Sequence, residues 1–116
     1  MKSMSFMLTR QAVIDRTKTV TRRLGWDNLK PGDRLYAVTK AMGLKKGEKQ
    51  ERLGVIEVVS VRREELRDIS RDDVLREGFP GMFPDEFVAM FRRNMKCQPD
   101  AIVNRIEFRY VEDESC

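Results

Sequence analysis

The strongest chemical signal in this chain is the segment Arg16–Arg23. Its eight residues, Arg-Thr-Lys-Thr-Val-Thr-Arg-Arg, hold one lysine, three threonines and three arginines. A lysine among arginines and close to a hydroxyl group is typical of an anion-binding site, or of a hydrolase in which lysine is the base. The alternative interpretation is an exposed basic strand whose threonines favour β structure. The first interpretation requires a buried lysine beside a reactive group, whereas the second leaves the lysine exposed.

Lys18 and Thr21 are three residues apart, a spacing that places them on opposite faces of a regular strand. If they act together, we expect a turn or a distortion between them. A lysine is a poor base at its ordinary pKa of about 10.4. We expect burial and the like charges of Arg16, Arg22 and Arg23 to lower that pKa. The neutral amine can then take a proton from the Thr21 hydroxyl or from water, and Arg23 can stabilise a developing oxyanion.

The composition restricts the chemistry further. The chain contains no histidine and only two cysteines, so the commonest general base is missing and a zinc site is not expected. We predict no metal and no cofactor, and any enzymatic proton transfer would use lysine, carboxylate, tyrosine or cysteine side chains. Cys97 and Cys116 are expected to be free thiols.

Length and charge indicate the class of protein and its partner. The 116 residues predict a single domain spanning positions 1–116. The net charge is +4, and basic residues concentrate between positions 10 and 23, which favours an anionic partner such as RNA or a nucleotide. The acidic tail at 112–114 is expected to be frayed. No apolar run is long enough for a membrane span or a signal peptide, so we expect a cytoplasmic protein without a membrane partner.

The hydrophobic pattern predicts a mixture of strands and helices. Strands are expected at 6–8, 34–39, 53–61 and 102–111, and helices at 9–15, at 70–78 and from 84 to about 96. In the last strand, Ile106, Phe108 and Tyr110 form the apolar face, and the alternate residues Arg105, Glu107 and Arg109 form a solvent face. The order predicts an α+β fold, a small mixed sheet or barrel covered by helices.

The chain resembles the ASCH domain family, which carries a Gly-x-Lys-x-x-Glu-x-Arg pattern after its first helix. Lys18 and Arg23 match this pattern, whereas Arg16 replaces the glycine and Thr21 the glutamate. The pattern Lys-Thr-x-Thr-x-Arg is similar to that of the small bacterial acetylcytidine amidohydrolases. The resemblance continues at 30–33, 77–79, 87–91 and 106–108, and it implies a PUA-like small mixed β-barrel flanked by helices.

The resemblance and the residues together leave three functions open for one basic cleft, which the segment 18–23 and the loop at Glu77 would form. The first is binding of RNA or a modified nucleoside, with Arg16, Arg22, Arg23 and Trp26 as contacts. The second is deacylation of acetylated cytidine, with Lys18, Thr21 and Glu77 as the catalytic set. The third is metal-independent cleavage of RNA by a lysine and a glutamate. Trp26, beside a glycine in a polar stretch, is the expected aromatic platform for a base.

Overall fold

The computed structural model describes residues 1–112, which form five strands and three α-helices. The predicted tail residues Asp113 and Glu114, and the predicted free thiol of Cys116, lie outside this range. In chain order the elements are β1 (Ser3–Ser5), α1 (Arg10–Ile14), β2 (Val20–Arg23), β3 (Arg34–Val38), β4 (Arg52–Glu65), α2 (Arg71–Arg76), α3 (Pro84–Met95) and β5 (Ile102–Val111). Within residues 1–112, every helix is too short or too polar to cross a membrane.

The strands form one mixed sheet in the order β1-β3-β4-β5-β2. β1 runs parallel to β3, and the other neighbouring pairs are antiparallel. β4 is 14 residues long and pairs with β5 from Val55 to Glu65, with an irregularity between Val58 and Ser60. The two outer strands, β1 and β2, do not pair with each other among the described residues. The predicted α+β class is therefore confirmed, whereas the sheet is open and the predicted barrel is not confirmed.

The apolar side chains form two clusters. The first packs α1 against the sheet and consists of Met4, Phe6, Val13, Leu35, Ala37, Ile56, Val58, Ile106 and Phe108. The second packs α2 and α3 against the end of β5 and consists of Leu66, Ile69, Val74, Phe87, Phe91 and Val103. Burial of these side chains is the main force that holds the helices against the sheet. The alternation predicted for Ile106 and Phe108 is confirmed.

The start of the chain differs from the prediction. The first strand covers Ser3–Ser5 rather than residues 6–8, because Tyr36, Ala37 and Val38 of β3 pair with that stretch. Phe6 extends the pairing by one hydrogen bond from its N–H to the Val38 carbonyl. The chain then turns through a short 3₁₀ segment, Met7–Thr9, which leaves Met7 and Leu8 exposed.

The solvent face predicted for the last strand is wrong at Arg105, which is only 6% exposed. Its guanidinium group donates to both carboxylate oxygens of Asp73, at 2.6 and 3.0 Å. Arg22 donates to the same carboxylate at 2.6 Å, and it also contacts Glu64 at 2.6 Å. The hydrogen bonds from Arg105, joined by those from Arg22, hold the pKa of Asp73 far below its ordinary value. α2 therefore covers this face of β5 with charged groups instead of leaving it to water.

We predict that Asp73→Asn lowers the free energy of unfolding by about 3–5 kcal/mol, because two buried guanidinium groups lose their shared counter-charge. Urea denaturation followed by circular dichroism measures this value. Asp72→Asn is the matched control, since Asp72 is exposed in the same turn of α2, and we expect it to change the value by less than about 0.5 kcal/mol. Equal stability of the two variants would contradict the prediction.

The same pair of variants tests the pH dependence. The pKa of Asp73 is lower in the folded than in the unfolded protein, so its stabilisation is complete above the unfolded value of about 3.9 and is lost as the pH falls below it. We therefore expect the stability difference between Asp73→Asn and the wild type to shrink as the pH falls from about 5 to 2. A difference that stays constant over this range would show that Asp73 does not titrate with a lowered pKa.

Candidate functional site

The turn between α1 and β2 places Lys18 outside the strand ladder. Arg16 adopts a left-handed backbone conformation with φ of 60°, and the N–H groups of Thr17 and Lys18 both bond to the carbonyl of Ala12 at the end of α1. The Tyr110 hydroxyl donates to the carbonyl of Lys18 at 2.6 Å. Because Lys18 precedes β2, the alternation that would separate its side chain from that of Thr21 does not apply.

Lys18 meets Glu77 at the end of α2. The Lys18 ammonium donates to the carboxylate Oε1 of Glu77 at 2.7 Å and to its backbone carbonyl at 2.7 Å. Both side chains are 3% exposed. A cation is favourable at the C-terminus of a helix, where backbone carbonyls lack partners. Lys18 thereby compensates the negative charge of Glu77, which this end of the helix would otherwise disfavour.

Gly78 makes this arrangement possible. Its φ of +102° lies in a region that favours glycine, and it ends α2 directly after Glu77. A Cβ atom at this position would lie 2.9 Å from the Cβ of Ala12 and 3.8 Å from that of Lys18. The missing side chain therefore lets the end of α2 approach α1 closely, which brings Glu77 within reach of Lys18.

Arg22 connects this pair to the buried charges under α2. Its Nη1 lies 3.4 Å from Oε2 of Glu77, and its Nη2 contacts Asp73 and Glu64. The Arg22 side chain is 1% exposed, yet its Nε has no hydrogen-bond partner among the described residues. A buried N–H group without a partner is costly and uncommon. Arg22 also lines the cavity described below.

Burial lowers the pKa of Lys18. Removal of the ammonium group from water is the largest cause, the Glu77 carboxylate opposes it, and the charges of Arg23 and Arg22 add to the lowering. The direction agrees with the sequence-based expectation, but the expected contribution of Arg16 is wrong. Arg16 is exposed, and its guanidinium lies 5.4 Å from the centre of the Tyr110 ring instead.

Thr21 is buried and bonds to Arg23 rather than to Lys18. The Nε of Arg23 donates to the Thr21 hydroxyl oxygen at 3.1 Å, and its Nη2 donates to the Ser5 carbonyl at 2.6 Å. The Arg23 guanidinium also lies 4.9 Å from the centre of the Phe6 ring. Burial lowers the pKa of Arg23 to about 10. Since Arg23 donates to the Thr21 oxygen, the hydroxyl proton of Thr21 remains available to a ligand or a water.

A cavity of about 340 Å³ joins these groups. Its polar wall includes Lys18, Thr21, Arg22, Arg23 and Glu77. The remaining wall is largely apolar and includes members of both hydrophobic clusters, Phe6, Phe87 and Phe91, as well as Met7, Leu8, Trp26, Phe79, Met90 and Met95. The structure thus brings together every residue proposed from the sequence except Arg16. The partly buried Trp26 lies in this wall, where a base could contact it.

Two buried residues beside the site, Asp73 and Arg105, were not predicted from the sequence. Asp73 lies in the first turn of α2, where its N–H donates to the Ser70 hydroxyl oxygen at 3.1 Å. Its carboxylate forms the buried ion pair with Arg105, which the sequence analysis did not include. The sequence held one indication of this ion pair: Asp73 is a charged residue in a helix that must cover one face of the sheet. Within residues 1–112, no three histidine, cysteine, aspartate or glutamate side chains are grouped as metal ligands.

Solved structures of other proteins share this fold. No family model matches the sequence, and no curated protein matches it either. Among solved structures, an ASCH domain from Lactobacillus crispatus JV V101 superposes with a TM-score of 0.64 at 14% identity, over 89% of this chain and 70% of that one. This chain has the fold of an ASCH domain. Protein EF3133 from Enterococcus faecalis V583, described as DUF984, also superposes with a TM-score of 0.64, at 16% identity over 94% of this chain and 73% of that one.

In this ASCH fold we predict that Lys18 titrates below the ordinary lysine pKa of about 10.4. Nuclear magnetic resonance of lysine labelled at Cε measures the titration directly. Glu77→Gln should lower the pKa of Lys18 further, because it removes the carboxylate charge that stabilises the ammonium form. Asp72→Asn is the control and should leave the titration unchanged. An upward shift in Glu77→Gln would show that the pair does not interact as described.

We also predict that Gly78→Ala destabilises the ASCH fold by about 2–4 kcal/mol, through backbone strain and the contact with Ala12. Gly81→Ala is the matched control, because a Cβ atom there has no neighbour within 4 Å and Gly81 has no positive φ. It should leave the stability unchanged or raise it by up to about 1 kcal/mol. Urea denaturation of both variants provides the comparison, and equal effects would contradict the close approach.

Proposed function

We propose that this protein is an amidohydrolase that removes the acetyl group from the exocyclic nitrogen of acetylcytidine. The observation that carries the proposal is the buried contact of 2.7 Å between the Lys18 ammonium and the Glu77 carboxylate, on the wall of a small cavity. The resemblance of the segment 16–23 to the acetylcytidine amidohydrolases names the substrate. ASCH folds alone do not specify it, since folds host many functions.

The Lys18–Glu77 pair has the properties that amide hydrolysis requires of an acid–base group. The reaction needs a base to activate the nucleophile and an acid to protonate the departing nitrogen. The Lys18 ammonium donates to the Glu77 carboxylate at 2.7 Å, and burial lowers the pKa of Lys18, which favours loss of its proton. The neutral amine of Lys18 would take the proton of the nucleophile, and Glu77 would carry a proton towards the departing nitrogen.

The nucleophile is either the Thr21 hydroxyl or a water. Its oxygen bonds to the acetyl carbon while the carbonyl π electrons move to oxygen. Collapse of this intermediate breaks the carbon–nitrogen bond, and the cytidine amine leaves with a proton from the Lys18–Glu77 pair. With Thr21 as nucleophile, an acetyl ester forms, and a water then hydrolyses it to acetate in the same manner. Either route consumes one water and yields cytidine and acetate.

Two arginines can stabilise the negative oxygen of the intermediate. Arg23, proposed for this role from the sequence, is held in the cavity wall by Thr21 and Ser5. Arg22 adds a buried N–H group that has no partner among the described residues. In a site shielded from water, prepositioned donors of this kind are worth about 3–4 kcal/mol each to the transition state.

The geometry favours a nucleoside over a polymer. Lys18 and Arg22 are buried and bonded to carboxylates, so the phosphates of an RNA chain cannot pair with them. A cavity of about 340 Å³ lies within the range of sites for small molecules. The same burial argues against cleavage of RNA by Lys18 and Glu77. RNA binding without catalysis would instead use exposed cations such as Arg16, Lys45 and Lys46.

We predict that the purified protein releases cytidine from acetylcytidine, and that Lys18→Ala and Glu77→Ala each lower kcat/KM by at least about 100-fold. Chromatographic measurement of cytidine gives the rates, and circular dichroism verifies that each variant is folded. Lys45→Ala is the control, because Lys45 is exposed in the loop after β3, and it should retain the wild-type rate.

Absence of turnover by folded wild-type protein would overturn acetylcytidine as the substrate. Binding to single-stranded RNA should then be measured at several salt concentrations. If the cleft only binds RNA, Lys18→Ala would weaken that binding and flatten its salt dependence. If the loop binds RNA, Lys45→Ala would do so instead.

A further inference from the structure

Trp26 lines a second cavity in addition to the candidate site. This second cavity has a volume of about 670 Å³ and shares Leu24 and Trp26 with the first. Its other walls include the polar or charged residues Lys2, Asp27, Asn28, Asp33 and Arg34. The two cavities therefore adjoin at Leu24 and Trp26, and the buried acid–base groups line the first while hydrogen-bonding groups line the second.

The backbone that carries Trp26 is held in an unusual conformation. Trp26 has a φ of 60°, which is uncommon for a large side chain, and Gly25 before it has a φ of 80°. The buried amide of Asn104 donates to the Gly25 carbonyl at 2.6 Å and to Oδ1 of Asp27 at 2.8 Å. One side chain of β5 thus fixes both neighbours of the tryptophan. Strain maintained by such contacts is concentrated at ligand-binding sites.

Asp27, in the wall of the second cavity, offers an acceptor. Its Oδ1 is occupied by Asn104, with Arg63 at 3.6 Å, whereas its Oδ2 takes part in no hydrogen bond or ion pair among residues 1–112. Asp33 is already engaged by the Lys30 backbone N–H at 3.0 Å. A free carboxylate oxygen suits a neutral ligand rich in hydroxyl groups, as acidic residues bind ribose hydroxyls in dinucleotide sites. It disfavours a phosphate.

We propose that the second cavity is a sugar subsite, so that the ligand is a complete nucleoside rather than a free base. The inference rests on the proposed function. The base would lie against Trp26 with its acylated nitrogen towards Lys18 and Glu77, and the ribose would extend beyond the ring. There a ribose hydroxyl donates to Oδ2 of Asp27. Asn104 acts as a positioning residue, because it holds Trp26 and Asp27 together.

The single tryptophan of the chain makes this proposal directly measurable. Trp26 fluorescence is recorded while cytidine or cytosine is added, since both carry the base and only cytidine carries the sugar. We expect cytidine to bind about tenfold more tightly than cytosine, as a hydrogen bond to a charged group predicts. Asp27→Asn keeps an oxygen for Asn104 but replaces the free acceptor. It should abolish most of the tenfold preference and leave cytosine binding unchanged.

Asp15→Asn is the control, since Asp15 is exposed after α1 and should affect neither ligand. Equal affinity of the wild type for cytidine and cytosine would overturn the sugar subsite and leave the proposed function intact. Equal weakening of both ligands by Asp27→Asn in the folded protein would overturn the role of Asp27. Tighter binding of cytidine monophosphate than of cytidine would make the cavity an anion site instead. Absence of binding by either ligand, together with absence of turnover, would overturn both proposals.

Discussion

The structure depends on a buried chain of charges that begins at Lys18 and passes through Glu77, Arg22 and Asp73 to Arg105. These contacts range from 2.6 to 3.4 Å. They join the end of α1, the edge strand β2, the helix α2 and the strand β5. Buried ion pairs contribute little net stability relative to apolar packing, but the loss of one partner is costly. The network therefore specifies one arrangement of these elements more than it adds to their stability.

The arginines at the cavity wall bear on what the cavity binds. Glu77 and Asp73 are each bonded to a guanidinium or ammonium group, whereas the Nε of Arg22 has no partner in the described structure. Arg23 adds a further cation, and within residues 1–112 its guanidinium bonds to neutral oxygens, on Thr21 and Ser5. An anionic or polarised oxygen in the cavity would complete this set. A carbonyl that becomes an oxyanion during reaction meets the requirement without a permanent charge.

The sequence allowed prediction of those parts that local patterns determine. The turn after α2 at Gly78 and the periodicity of α3 follow from residues close in the chain. The cluster of Lys18, Thr21 and Glu77 came from the resemblance, since Lys18 and Glu77 are 59 residues apart. The environment of Arg105 could not be predicted, because alternation within β5 does not show that α2 covers its second face. Sheet closure likewise depends on contact between distant edge strands, which no local pattern encodes.

The absence of histidine explains why the candidate site needs so much support. Lysine is a useful base near neutral pH only when its pKa is lowered, and burial is the largest cause of that lowering here. A lysine buried alone would be too costly, so Glu77 must accompany it. Glu77 in turn occupies the unfavourable C-terminal end of α2, where Arg22 contacts it and the positive φ of Gly78 ends the helix. On the proposed function, the network is the consequence of using lysine where other hydrolases use histidine.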